Sequence, residues 1–204
     1  MGVPDREIFE KAYTRIAPWD IDGPQSVFVA AAPLVVGSVL DAGCGTGENA
    51  LFFASRGQRV TGVDYLSEPI ARAKRKAAER GLAATFLVLN ALDLGELPEQ
   101  FDSAIDSGLF HVFADDDRAR YVAALTSVVR PGGKLFLCCF SDAEPGETGP
   151  RRITKAELAA AFAPGWTVCS IEPARFQARP DFTEMEFSPG GPHAWFAIFQ
   201  RQAD

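Results

Sequence analysis

The run Val39-Leu40-Asp41-Ala42-Gly43-Cys44-Gly45-Thr46-Gly47-Glu48 places three glycines at alternate positions directly after an apolar stretch. Asp64 closes a second apolar stretch, Val60-Thr61-Gly62-Val63, about twenty residues on. Glycine has no Cβ, so the chain can swing from strand to helix within a few residues and offer main-chain N–H groups to a ligand lying against them. A carboxylate at the end of the following strand is placed to accept both hydroxyl protons of a ribose. The chemistry of this region is therefore that of holding an adenosine-containing ligand. His111 is the second residue with reactive potential, because an imidazole suits proton removal near neutral pH. His193, beside Gly190-Gly191-Pro192, reads as a loop residue.

The elements that must position these residues alternate between β-branched or apolar runs and helical patterns, the mark of a mostly parallel sheet covered on both faces. Seven strands are expected near residues 38–41, 59–64, 84–90, 101–107, 134–140, 167–172 and 194–200. Between the second and third, Ser67 is expected to cap a helix with Pro69 in its first turn, and Ile70, Ala73 and Ala77 give that helix an apolar face. Lys74, Arg75, Lys76 and Arg80 crowd its C-terminal half, suit the helix dipole, and read as a solvated face. Asp115, Asp116 and Asp117 read as caps of a second helix rather than as a metal site. That helix ends at Arg130-Pro131-Gly132-Gly133, a turn into the fifth strand. Thr154 and Glu157 form a capping box for a helix over residues 155–162. The link from 141 to 153 has no periodic pattern, and loops of that length are often lids or binding loops.

With 204 residues, 47% of them hydrophobic, the chain is expected to build one domain. Neither a long apolar span nor an N-terminal targeting pattern stands out, so a cytoplasmic protein without membrane association is expected. The cysteines at 44, 138, 139 and 169 form neither a Cys-x-x-Cys pair nor a metal-like cluster and are expected to be free thiols. A net charge of -7 argues against a nucleic-acid partner, since phosphate binding relies on clustered Lys and Arg.

The glycine turn alone leaves dinucleotide dehydrogenases and methyltransferases in competition. Three further features break the tie: Gly62-Val63-Asp64, Phe101-Asp102-Ser103-Ala104-Ile105-Asp106-Ser107, and Arg130-Pro131-Gly132-Gly133-Lys134. Together with the turn they resemble, in order and spacing, the class I S-adenosylmethionine-dependent methyltransferases over residues 34 to 200. A dehydrogenase would more often carry G-x-G-x-x-G, whereas here Glu48 stands where the last glycine belongs. The segments from Ala17 to Gln25 and from Ser107 to Phe113 are similar to a narrower group. That group contains thiopurine methyltransferase-like and halide or thiol methyltransferases and mycobacterial enzymes acting on heterocyclic toxins and hydroxyquinolones.

The resemblance implies an α/β, Rossmann-like three-layer sandwich with a seven-stranded, mostly parallel sheet whose last strand is antiparallel. It implies one domain over residues 1–204, with 1–33 as a helical cap over the site. It implies S-adenosyl-L-methionine as cofactor, contacted by Trp19, Asp41, Gly43, Cys44, Gly45, Asp64, Tyr65, Leu66, Asn90, Ala91, Leu92, Asp106 and Ser107. Asp64 would hold the ribose, Tyr65 and Leu66 would cover adenine, and Ala91 and Leu92 would offer main-chain groups to its edge. Asn90 stands where many relatives carry an acidic residue, and its amide oxygen would replace that carboxylate. Asp106 and Ser107 would face the methionyl amino group. The implied partner is a small aromatic or heterocyclic acceptor, met by Trp19, Phe110 and His111, with His111 as catalytic base and no metal. A catalytically silent cofactor-binding protein is the alternative, and the chain is expected to be a monomer or homodimer.

Overall fold

The computed structural model describes residues 9–11, 13, 17–146, 149–179, 181–182 and 187–203. Its centre is a seven-stranded sheet built from β1 (Val39–Ala42), β2 (Val60–Asp64), β3 (Thr85–Val88), β4 (Phe101–Ser107), β5 (Val129–Phe140), β6 (Trp166–Arg175) and β7 (His193–Arg201). The strand order is β3-β2-β1-β4-β5-β7-β6. β7 runs antiparallel to both of its neighbours, while β1, β2, β3, β4 and β5 pair in parallel. The implied three-layer fold and its antiparallel last strand are therefore present.

Every residue of β1 and β2 is buried, as strands covered on both faces require, which is why they read as continuous apolar runs. Successive side chains go to opposite faces. Leu40, Ala104, Leu135, Leu137 and Cys139 pack with α4 (Asp115–Val128) and α5 (Lys155–Phe162). Val39, Ile105, Phe136 and Cys138 pack with α1 (Ser26–Ala31), α2 (Glu48–Ser55) and α3 (Ser67–Glu79). Adjacent Cys138 and Cys139 thus lie in different cores, and all four cysteines are free.

Local signals resolve in different ways. The capping box is present, with the Glu157 N–H donating to the Thr154 hydroxyl at 3.1 Å and the Thr154 N–H donating to the Glu157 carboxylate at 2.9 Å. Ser67 is not a cap, because Leu66 occupies that position and its N–H donates to Asp64. Asp115, Asp116 and Asp117 fill the first turn of α4 behind Ala114, which offers no side-chain cap. They complement the helix dipole, and Asp115 and Asp117 pair with Arg118 and Arg120. The Pro-Gly-Gly segment lies inside β5 as an irregularity, since Val129 pairs with Phe101 before the register slips and Lys134 joins Ser103.

The 141–153 link is tied down among its described residues. Glu144 is buried and accepts the N–H groups of Ser188 at 3.1 Å and His193 at 2.7 Å. Arg152 donates to the carbonyls of Glu144, Pro145 and Pro150. Among the described residues no helix is long and apolar enough to cross a membrane.

Candidate active site

Strand order reverses between β1 and β4, and open parallel sheets bind ligands at the carboxyl ends of the strands beside such a switch point. There Gly43, Gly45 and Gly47 all take left-handed conformations, with φ of 70°, 52° and 86°, which only glycine adopts without strain. The Cys44 N–H donates to Val63 O at 2.8 Å and the Gly47 N–H to Cys44 O at 2.9 Å, so the turn is stitched to β2 and closed on itself. Asp64 completes the lock: one carboxylate oxygen accepts the Gly45 N–H at 3.1 Å and the other the Leu66 N–H at 3.0 Å. Burial still raises its pKa, against the pull of those two N–H groups.

Asp41 lies behind the turn, fully buried, and neither carboxylate oxygen closes a hydrogen bond. Burial pushes its pKa up to about 8, the Ala50 N–H nearby pulling against the rise without closing a hydrogen bond, and Asp106 and Asp64 add to it. Asp106 is equally buried but well partnered, accepting the N–H groups of Leu109 at 2.8 Å and Phe110 at 3.1 Å and the Tyr121 hydroxyl at 3.0 Å. Burial brings it to about 7. Asp41 lies between Asp64 and Asp106 at the ends of adjacent strands β2, β1 and β4, and their charges add to its own charging cost in a poorly solvated space. A cationic ligand against the glycine turn would relieve that cost. The glycine cradle, the unpartnered Asp41 oxygens and Asp64 together fit an adenosine compound carrying positive charge.

An aromatic cluster roofs the turn. The Trp19 Nε1–H donates to the Tyr13 hydroxyl at 3.2 Å, and that hydroxyl lies 2.9 Å from where a Cβ on Gly45 would stand. Phe9 meets Trp19 and Tyr65 with ring centroids 5.9 and 6.0 Å apart. Phe9 and Tyr13 are four residues apart, a helical spacing that would have flagged them as one face; the sequence reading passed over both.

Asp20 anchors this roof, accepting the Thr46 hydroxyl at 2.5 Å, while Lys76 donates to that hydroxyl at 2.8 Å and pairs with Glu48 at 2.9 Å. Of the basic residues expected on a solvated face, Lys74, Arg75 and Arg80 are exposed and Lys76 is half-buried, and Lys76 and Arg80 both pair with Glu48. On the other side Gln25 and Gln177 exchange hydrogen bonds, each of 2.8 Å, and the Arg179 N–H donates to Pro18 O at 2.9 Å. The N-terminal segment is so pinned between α3 and the chain beyond β6.

Beside the turn, Leu109 sits against Gly43, and His111 follows on a single 3-10 turn. Its ring is buried between Phe140 and Phe176, at 5.0 and 6.0 Å. Phe140 continues to Phe176 at 5.4 Å and Phe187 at 6.3 Å, and Phe187 stacks on Phe182 at 6.5 Å. This is a continuous aromatic wall. The Phe140 N–H donates to His111 Nδ1 at 2.9 Å, and burial, with Arg152 and Arg118 nearby, lowers the imidazole pKa to about 3. With Nδ1 accepting, the neutral ring carries its proton on Nε2, so the lone pair that the expected base would use is taken up by the Phe140 N–H.

Phe110 also departs from expectation. It is fully buried, packs on Phe162 at 5.6 Å and lies under the Arg118 guanidinium, so it belongs to the opposite core and not to an acceptor wall. Asn90 accepts the Leu92 N–H at 3.1 Å and caps the turn Ala91–Glu96. Its amide oxygen and the Leu92 N–H therefore already satisfy each other. Ala91 and Leu92 are buried, and Ser107 is half-buried at the end of β4.

The chain is similar to several known proteins. Residues 39–133 match a family model described as a methyltransferase domain. A 2-heptyl-1-hydroxyquinolin-4(1H)-one methyltransferase of Mycobacteroides abscessus is 33% identical, the alignment covering 98% of this chain and 91% of that protein. A solved structure from work on conversion of a disulfide bond into a thioacetal group during echinomycin biosynthesis superposes with a TM-score of 0.84. It is 37% identical, with 96% of this chain and 92% of that chain covered. A 1,6-didemethyltoxoflavin-N1-methyltransferase of Burkholderia thailandensis, solved with its acceptor and S-adenosylhomocysteine, gives 0.71 at 25% identity, covering 97% and 87%.

Proposed function

The chain belongs to the class I S-adenosylmethionine-dependent methyltransferases, and from that premise we propose that it methylates an oxygen, nitrogen or sulfur atom of a small planar aromatic or heterocyclic acceptor. The observation that carries the reading is the aromatic wall from His111 through Phe140, Phe176 and Phe187 to Phe182, beside the glycine turn. Flat rings bury large areas against such a surface. The hydroxyquinolone and toxoflavin acceptors of two relatives support the same class. A cytoplasmic role in detoxification or secondary metabolism follows as part of the proposal.

When bound, S-adenosylmethionine supplies an electrophilic methyl group on a sulfonium. In our reading Gly43, Cys44 and Gly45 hold its methionyl and ribose parts, and Asp64 takes the ribose hydroxyls. Tyr65 and Leu66 cover adenine, with Asn90, Ala91 and Leu92 at its edge. Asp41, with its unpartnered oxygens, and Ser107 face the cationic end. Asp106 acts by shaping the 107–110 loop and by its charge. The described part of the expected 1–33 cap, with Trp19 and Tyr13, covers the site and excludes water, while residues 1–8, 12 and 14–16 of that cap lie outside the described residues. Positioning dominates, since in-line displacement at carbon needs little covalent help from protein.

A sulfur acceptor is the second reading, favoured by the 37% identity to the chain from the disulfide study. Turnover of the donor with a panel of hydroxyquinolones, phenols, N–H heterocycles and thiols tests both. Methylation confined to aliphatic amines or carboxylates would refute the aromatic-acceptor reading.

A further inference from the structure

We propose that His111 is a fixed hydrogen-bond donor whose Nε2–H donates to an oxygen or sulfur of an acceptor that arrives already ionised. The enzyme thereby selects hydroxy and N-hydroxy heterocycles and acidic thiols over alcohols and amines. This rests on the reading above that the acceptor is a small aromatic or heterocyclic compound.

The argument starts from the Phe140 N–H, which donates to His111 Nδ1 at 2.9 Å from the end of β5. That N–H belongs to the carboxyl end of an interior strand whose last residue is held against Ala194 of β7 and cannot be withdrawn, so the Nδ1 lone pair is committed. A neutral imidazole has one N–H, and it must then be on Nε2. A base acting through Nε2 would need the other tautomer, in which two N–H groups would point at each other at the end of the strand. Taking up a second proton would create the same opposition. The surroundings resist it as well: the rings of Phe140 and Phe176 flank the imidazole, and the charged groups nearest are the guanidiniums of Arg152, before α5, and Arg118 on α4.

The remaining nitrogen faces the site. Nε2 and Cε1 both lie 3.5 Å from where a Cβ on Gly108 would stand, on the loop whose next residue touches Gly43. Among the described residues Nε2 meets no protein acceptor. The arrangement leaves one oriented donor, held by a strand, at the junction of glycine turn and aromatic wall. An anion is the natural partner for a lone donor in a poorly solvated place. The transfer then balances without proton movement. A lone pair of the acceptor anion forms the new bond to the methyl carbon, and the pair of the breaking carbon–sulfur bond stays on sulfur. Anion and sulfonium become two neutral products.

The test combines spectroscopy with kinetics. The sequence has two histidines, so 15N NMR of the labelled full chain, assigned with a His193→Gln variant, reports the His111 tautomer directly. The expected result is a proton on Nε2 and an unprotonated Nδ1 throughout roughly pH 5 to 9. A proton on Nδ1, or a ring that titrates at the ordinary histidine value, overturns the donor assignment whatever the protein methylates. In kinetics, the break in log kcat/KM against pH should move with the pKa of each acceptor in a graded series of hydroxy heterocycles. A break that stays at one pH across the series would indicate an enzyme base and overturn the proposal. His111→Phe should lower kcat/KM about 10- to 100-fold, and His111→Gln, which keeps an N–H and has no basic nitrogen, should restore most of it. Failure to methylate any aromatic or heterocyclic acceptor would instead refute the acceptor reading, and the NMR result separates the two failures.

Discussion

Asp41→Asn removes a charge that the fold gives no partner, and its effect can be worked out in advance. The carboxyl is held at about 8 in the folded chain against 3.8 as its ordinary value. Between those two values the folded chain retains a proton that the unfolded chain has released, so stability falls as pH rises through the window and the loss is complete above it. At pH 9 the cost is at most about 6 kcal/mol. An asparagine avoids it but leaves its own amide unsatisfied, which returns about 1–3 kcal/mol. The variant should therefore be about 3 kcal/mol more stable than the parent at pH 9, or about 6–12 °C higher in Tm for a chain of this size. At pH 5 the two should melt nearly together, because only about 1.5 kcal/mol of the parent's cost has developed there, comparable with the variant's amide penalty. Calorimetric melts of the cofactor-free full chain at both pH values measure this. A variant that melts lower than the parent by the same margin at both would show that Asp41 is solvated or paired, and the account of the carboxylate cluster would fall.

Two further substitutions probe what supports the aromatic wall. Gly191→Ala places a Cβ at φ of 98°, where it would overlap the Phe176 carbonyl oxygen; a loss above about 2 kcal/mol in urea unfolding is expected, and an unchanged midpoint would contradict the close approach. Glu144→Ala strips the acceptor from the Ser188 and His193 N–H groups and should cost about 2–4 kcal/mol, with faster hydrogen exchange at those two amides. Unaltered exchange there would mean that the 187–193 chain is held by something other than Glu144.

The strands and the glycine turn were legible because their signals are local. Continuous apolar runs mark strands buried on both faces, and alternate glycines mark a backbone that must pass through left-handed conformations. The Thr154 and Glu157 pair could be read as a capping box for the same reason, since both partners lie within one helical turn. Ser67 misled because a serine two residues before a proline reads as a cap from composition alone, while the cap position is set by where Asp64 holds the Leu66 N–H. The Pro-Gly-Gly segment misled likewise, since only its pairing with β4 makes it part of a strand.

Residue types and spacing along the chain determined the fold and the cofactor class, because both depend on backbone preference and on burial repeated over a few residues. The roles of individual side chains were decided only by tertiary structure. Phe110 and His111 are neighbours in sequence, yet one is sealed under Arg118 in one core and the other faces Phe140 and Phe176 at the edge of the opposite core. Whether His111 is a base or a donor depends on one main-chain N–H, that of Phe140, twenty-nine residues away. Local sequence has no means of recording that contact. A proton's position on a ring is set by what meets the ring's other nitrogen, and the folded sheet alone brings the two together.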